Sequence, residues 1–369
     1  MRRLFLFALV LTLAGCGPAP DPSKQPAAPV QPAKPPPPAQ PTAAARSVDL
    51  GRIDAAAFDP NAPAPAAATA NRDAPPDPVL VRAEVLLARA RFSPGVVDGK
   101  TGTNLKHALQ AFQTAKGLPS SGALDADTWK ALTQAPDAGR PVAKAYQITD
   151  QDLAGPFAPD VGEDFVKLAA LPDGPQFSSL QEALASRFHM SRDLLQALNP
   201  GVDFKSAGPT LVVVDADAPA FAKGDVKSII VSKSDAQAVA YGGDGQVLAV
   251  YPATVGSTER PSPSGVHKVV GVARNPDYVY DPRKLHWGPR SHGKLTIKPG
   301  PKNPVGLVWI DLNAPSYGVH GSPDPEKIGK TASHGCVRLT NWDAQALGEG
   351  VKPGVKVTFE GKRGGKVGA

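Results

Sequence analysis

Two periodicities divide the chain. Between Val79 and about Leu132 apolar residues recur every three or four positions, the spacing of one helical face. VLVRAEVLLARARF reads as an amphipathic helix, followed by the glycine-rich turn SPGVVDGKTG. In TNLKHALQAFQTAKG, Leu105, Ala108, Leu109 and Phe112 share a face, and Gly117 stands where a left-handed residue would stop the helix. Asp125 is placed to cap a short third helix holding Trp129 and Leu132. A small all-α unit of three helices is expected over residues 79–135. Helical spacing returns in SLQEALASRFHMSRDLLQALNPGVDF, where two helices end at Asn199-Pro200-Gly201 and the strand-like LVVV follows. This suggests an α+β module over residues 145–218, with no strand apparent ahead of its helices. His189 reads there as a packed or exposed side chain rather than a ligand.

From Lys227 onward the period becomes two. SIIVSKSDAQAVAY and VLAVYPATVG read as two strands around the turn GGDGQ. VHKVVGVA, KLTIKPG, GLVWIDL, YGVHG and VKVTF are further strand candidates. Short strands separated by Gly/Pro turns predict a mainly β domain over residues 225–361, a β-sandwich or small barrel. Thr340 opens a Thr-x-x-Asp capping box for a helix at NWDAQAL.

Composition changes this picture chiefly at the ends. With 41 prolines and 36 glycines in 369 residues, the expectation is of modest globular units joined by extended segments. Residues 17–78 are Pro/Ala-rich and bury too little apolar surface to order themselves, so a disordered tether is expected, as is a flexible tail at 362–369. A fragment beginning near Asp225 is then expected to fold alone. MRRLFLFALVLTLAGC pairs two arginines with an apolar run too short to span a membrane, the pattern of a secretory signal peptide in residues 1–16. The net charge of +6 suits work near an anionic polymer. No Lys/Arg-rich run is interleaved with aromatics, so nucleic acid is not supported as a partner.

The ending Leu13-Ala14-Gly15-Cys16 resembles the bacterial lipobox. That resemblance implies lipid on Cys16 and, with Gly17 next, anchoring to the outer membrane of a Gram-negative bacterium. Cys336 is then left without an intramolecular partner in an oxidising compartment, and catalysis is one reason for an unpaired thiol there. A lone cysteine is otherwise most often a small buried hydrophobe. A thiol attacks acyl carbon only as thiolate and needs a base. His320 lies about sixteen residues upstream, and the loop SPDPEKIGKTAS can return the chain beside it. Gly335 permits close backbone approach, and the amides of Gly335 and Cys336 are candidates for an oxyanion hole. His107, His267, His286 and His292 do not fall at metal-ligand spacing, so neither metal nor cofactor is implied.

The pattern H-G-x-P…I-G…S-H-G-C-x-R-L resembles the L,D-transpeptidase (YkuD-type) catalytic domain. The Pro263-Ser264-Gly265 turn, Asn275-Pro276 with Tyr278, and PGPKNPVG match as well; Lys302 departs, standing where relatives often have Asn. The resemblance implies that Cys336 is the nucleophile and His320 the general base, oriented by a backbone carbonyl because Gly321 occupies a position where some relatives have Ser. His334, Arg338, Ser333 and Gly321 are implied at the substrate side, with His334 and Arg338 holding a carboxylate and Ser333 supporting the loop. The three-helix unit resembles a peptidoglycan-binding domain in its VDGKTG turn, QAFQ helix and GALDADTWKAL ending. The α+β module resembles LysM, as a glycan binder or a degenerate spacer. Together these imply a periplasmic enzyme acting on peptidoglycan. Its acceptor would be a stem-peptide amine, a D-amino acid or a lysine of an envelope protein. Water as acceptor, or a silent wall-binding tether, remain open. Papain-like and amidase-type thiol hydrolases fit less well, since they place Cys before His.

Overall fold

Helix α1 (Pro78–Arg89) begins where Asp77 accepts the Val79 amide at 2.8 Å and Pro78 takes the first helical position. The expected apolar face is present and buried, and burial extends beyond it. Leu80, Val81, Val85, Leu86 and Leu87 are buried, and so are Glu84 and Arg89. The helix is buried nearly all round because neighbours cover it on several sides, α2 (Thr103–Ala115) and α3 (Ala126–Thr133) among them. Gly117 ends the α2 region at φ +68°, and Asp125 caps α3 by accepting the Thr128 amide at 2.8 Å.

The computed structural model describes residues 51–61, 75–285, 288 and 292–361. The expected signal peptide with Cys16, most of the tether and the tail lie outside these. Where the tether region is described, it packs. Ile53 is 2% exposed, Asp54 accepts the Val142 amide at 2.7 Å, and Ala56 O accepts from Arg82 at 2.6 Å. The expected extended segment therefore does not run unbroken to residue 78. Among the described residues no helix is long and apolar enough to cross a membrane.

The α+β module has the first strand that the sequence hid. β1 (Ala143–Gln147) pairs antiparallel with β2 (Thr210–Val214), Ala143 opposite Val214. AKAYQ carries too few large apolar residues to announce itself. Between the strands run α4 (Asp150–Ala154), α5 (Phe165–Ala170), α6 (Leu180–Arg187) and α7 (Arg192–Leu198). Buried Asn199 locks the return to β2, accepting the Val212 amide at 2.7 Å and donating to Leu195 O and Val212 O. One hydrophobic core joins α1–α3 to this module and reaches Val250 of the following sheet. The units are not separate bodies on linkers.

In the β region, SIIVSKSDAQAVAY is a hairpin rather than one strand. β3 (Ser228–Ser232) and β4 (Gln237–Tyr241) are joined by a turn in which Ala236 adopts φ +51°. With β5 (Val247–Pro252), β6 (Gly265–Arg274), β9 (Val308–Leu312), β10 (Gly318–His320), β11 (Val337–Arg338) and β12 (Lys356–Glu360) they make one eight-stranded sheet, ordered β11-β10-β9-β6-β12-β3-β4-β5. β6 (bulged between Val269 and Gly271) belongs to both halves, so the sheet curls as one piece instead of forming a two-sheet sandwich. Its ends meet where Thr254, just past β5, exchanges two 2.9 Å backbone bonds with Arg338. Residues 91–93 cover the β5 edge through the pairs Val250 N to Arg91 O and Ser93 N to Val250 O, both 2.8 Å. β7 (Tyr278–Tyr280) and β8 (Leu295–Ile297) form a separate ribbon beside α5, with Phe165, Leu168, Tyr280 and Ile297 as its core. Helix α8 (Asn341–Gly350) is capped by Thr340, whose Oγ1 accepts the Asp343 amide at 3.1 Å. The Asp343 carboxylate accepts from Ser93 Oγ at 3.0 Å, 250 residues distant, which ties it to the three-helix domain.

Candidate active site

Three strands at the closing edge of the sheet build the site. His320 ends β10, opposite Trp309 on β9 and Arg338 on β11, and Cys336 directly precedes β11. The Leu339 amide donates to His320 O at 2.8 Å, pinning the parallel pair. The imidazole is 3% exposed, with Nδ1 2.7 Å from Gly321 O. A carbonyl can only accept, so Nδ1 carries the proton and Nε2 is left as a base. Trp309 stacks on the ring at 5.3 Å and 22°, itself held by Nε1–H donating to Asp311 at 3.1 Å. Gly318 leaves room for that indole, since a Cβ there would stand 2.6 Å from it.

Burial first, and the nearby Arg338 cation second, push His320 down to about 3. Cys336 is half-buried, with Sγ 3.6 Å from Ser316 O. Burial pushes its thiol up, opposed by the Gly318 amide and Arg338. At neutral pH the pair therefore rests as neutral thiol and neutral imidazole. The arrangement suits proton transfer at the moment of attack rather than a standing thiolate.

Hydrogen bonds within the motif loop hold it rigid. Ser333 Oγ donates to Cys336 O at 2.5 Å and accepts the Gly335 amide at 3.1 Å, while Ser262 Oγ donates to Gly335 O at 2.7 Å. Gly335 sits at φ +123°, and a Cβ there would meet the Tyr317 ring at 2.7 Å. Two expectations change. Gly335's N–H is engaged by Ser333 Oγ at 3.1 Å, so it is not free toward the cleft as the motif suggested. Gly321 orients His320 and packs against Asn341, where a Cβ would lie 2.2 Å from Oδ1; it does not line the cleft.

His320, Cys336, Arg338, Ser333 and His334 line a cavity of about 600 Å³. Tyr278, already part of the motif match, lines it too. Two contributions were not visible in the sequence: Trp309 lines it through strand register, and residues between 159 and 176 of the α+β module complete its wall. Tyr278 is kept protonated by burial, with Cys336 close by as a further cause. No local pattern marks a wall contributed from another module. Cys16 lies outside the described residues.

Residues 226–358 match the family model described as "L,D-transpeptidase catalytic domain" (YkuD), and residues 79–132 match "Putative peptidoglycan binding domain". The chain is 27% identical over 182 residues to "Putative L,D-transpeptidase YkuD" of Bacillus licheniformis, covering 48% of this chain and 92% of that one. It is 31% identical over 140 residues to "Putative L,D-transpeptidase YqjB" of Bacillus subtilis, covering 36% of this chain and 70% of that one. A crystal structure of an L,D-transpeptidase from Xylanimonas cellulosilytica aligns with a TM-score of 0.36 at 17% identity, over 82% of this chain and 100% of that chain.

Proposed function

This chain belongs to the YkuD-type L,D-transpeptidases, and on that premise we propose that it remodels peptidoglycan through a Cys336 thioester. His320 Nε2 takes the thiol proton as sulfur attacks the carbonyl between meso-diaminopimelate and the terminal D-Ala of a donor tetrapeptide. The Cys336 amide holds the resulting oxyanion. Collapse breaks the C–N bond, the imidazolium returns its proton to the departing D-Ala amine, and the thioester remains. An acceptor amine then attacks, giving its proton to His320, and the thiolate is released and reprotonated. Acceptors are a neighbouring diaminopimelate side chain, a D-amino acid or a lysine of an envelope protein.

One observation carries this reading: the imidazole tautomer fixed by Gly321 O in the same cavity as a half-buried thiol. We place the enzyme in the periplasm, anchored through lipid on Cys16 to the outer membrane of a Gram-negative bacterium. The three-helix domain and the LysM-like α+β module would raise the local concentration of glycan at the cleft. The test is mass spectrometry of disaccharide tetrapeptide incubated with purified protein. Released D-Ala with crosslinked dimers is expected, and none from Cys336→Ser. Tripeptide without any amine-linked product would replace transfer with hydrolysis, and turnover by Cys336→Ser would remove the nucleophile assignment.

A further inference from the structure

The cleft is completed from outside the catalytic domain. The catalytic domain contributes Arg338, His334 and the Lys327–Asp324 pair to its lining, and the α+β module contributes Asp160, Glu163 and Phe165. The two sides sense each other. Asp324 is the main cause holding the Lys327 ammonium high, but Glu163 and Asp160 add to it, and Glu163 also offsets the lowering of His334 by burial and by Arg338 and Arg260.

The way this wall is attached is specific. Gly174 stands at φ +73°, and a Cβ there would lie 2.1 Å from Pro299 O; one on Gly300 would lie 2.3 Å from Pro175 O. Glycine in both segments lets two backbones touch. The Lys302 amide donates to Pro175 O at 3.1 Å, and Lys298 Nζ to Pro172 O at 2.6 Å. Lys302 Nζ then meets Glu182 of α6 at 2.6 Å, with side chains only 19% and 15% exposed. Phe165 packs on Tyr278 and Tyr280 at 5.6 and 5.2 Å. Lys302 is also where this chain departs from the pattern its catalytic segment resembles. The departing residue is the one that latches the wall. A spacer that only linked domains would need none of these contacts.

We infer that residues 155–178 are a substrate-selecting wall of the catalytic cleft, latched by Lys302–Glu182, whose Asp160 and Glu163 carboxylates receive the free ammonium of the donor's diaminopimelate. This deepens the transpeptidase reading and rests on it. The cleft lining is of mixed charge, with Asp324 already paired to Lys327 at 2.9 Å; Arg338 beside the motif loop and Asp160 with Glu163 on the α+β module fit a donor whose amino-acid side chain ends in both a carboxylate and an ammonium. Asp160 and Glu163 are exposed, so changing them leaves packing intact; Glu182 acts through the wall as a positioning residue, and Lys302 holds Glu182 while also lining the cavity.

The experiment compares a tetrapeptide donor carrying a free diaminopimelate amine with its N-acetylated form, using the full chain. Wild type is expected to favour the free amine in kcat/KM by up to about fivefold, the scale of an exposed charge contact. Asp160→Asn with Glu163→Gln should erase the preference through KM, with kcat held. Lys302→Glu should weaken it, and Lys302→Glu with Glu182→Lys should restore it. Alkylation of Cys336 by iodoacetamide, followed by peptide mapping, should stay unchanged in all of them. Equal use of both donors by active wild type, a preference that survives the wall variants, or alkylation falling in step with donor use would each overturn the wall. Absence of D-Ala release by wild type would instead overturn the transpeptidase reading beneath it.

Discussion

His320 and Asp343 are buried titratable groups that respond to pH in opposite directions. The folded imidazole is held down to about 3 against an ordinary 6.5, chiefly by burial. Below 6.5 the unfolded chain takes up a proton that the folded chain refuses, so stability falls as pH falls toward 3. Asp343 runs the other way, pushed up to about 7 from 3.8 by burial despite donors from Thr340 and Ser93. Between those values the unfolded carboxyl is ionised while the folded one keeps its proton, so stability falls as pH rises and then levels off. Asp343→Asn is expected to raise stability at pH 8 by about 2 kcal/mol and to leave it unchanged near pH 4, read as the Tm difference across that range. The raised thiol makes a second expectation. Cys336 alkylation by iodoacetamide should climb with pH and level off above the ordinary thiol range. His320→Ala should slow β-lactam acylation of Cys336 by about a hundredfold, the scale of a lost general base. Intact-protein mass spectrometry against time follows the acylation. An unaffected His320→Ala rate would remove the base from the mechanism.

Among the elements, α1 depends most on a single side chain. The Arg89 guanidinium donates to the carbonyls of Asp215 at 2.8 Å, Arg140 at 2.8 Å, Pro141 at 2.6 Å and Asp137 at 3.2 Å, with the Asp215 carboxylate 3.4 Å away. It thereby joins the end of α1 to the end of β2. Arg89→Met would fill the volume but leave those carbonyls without their buried donor, while the Asp215 carboxylate keeps Lys144 at 2.8 Å and Arg140 at 3.4 Å. A loss of about 3 kcal/mol or more in urea unfolding is expected, since several buried carbonyls would each lose a donor at about 1–3 kcal/mol apiece. Arg89→Lys should recover little of it, because one ammonium cannot reach several carbonyls in a fork geometry.

For the whole molecule, the shared contacts predict cooperativity. The β5 edge is covered by residues 91–93, Asp343 is held by Ser93, and Tyr280 and Ile297 are covered by Phe165 and Leu168. Calorimetry of the full chain is expected to show one transition for the packed region, and two well-separated ones would mean independent modules. A fragment of residues 225–361 exposes an uncovered strand edge and an apolar patch, so size-exclusion chromatography should find it aggregated. A monomeric, folded fragment would restore the modular picture that the Pro/Gly spacing suggests.

What was legible in the sequence was what neighbouring residues decide among themselves. Asp125 and Thr340 cap helices through amides three residues on, and Gly117 ends one because only its own backbone freedom matters. The order of His320, Gly335 and Cys336 carries the catalytic motif for the same reason: one short loop holds it. Burial of α1 on all sides, the pairing of β1 with β2, and the stacking of Trp309 on His320 depend on partners distant in the chain. Alternation can place a residue on a strand face but leaves open which strand lies opposite. Whether the Gly335 amide is free depends on loop conformation, which places Ser333 Oγ to accept it. The cleft wall is the furthest case. Gly174 and Glu182 are unremarkable in sequence, and Lys302 stands out there only as a departure; all three acquire meaning when the curled sheet brings residues 172–176 against 298–302, because backbone contact, charge pairing and cavity shape exist only between surfaces that folding has brought together.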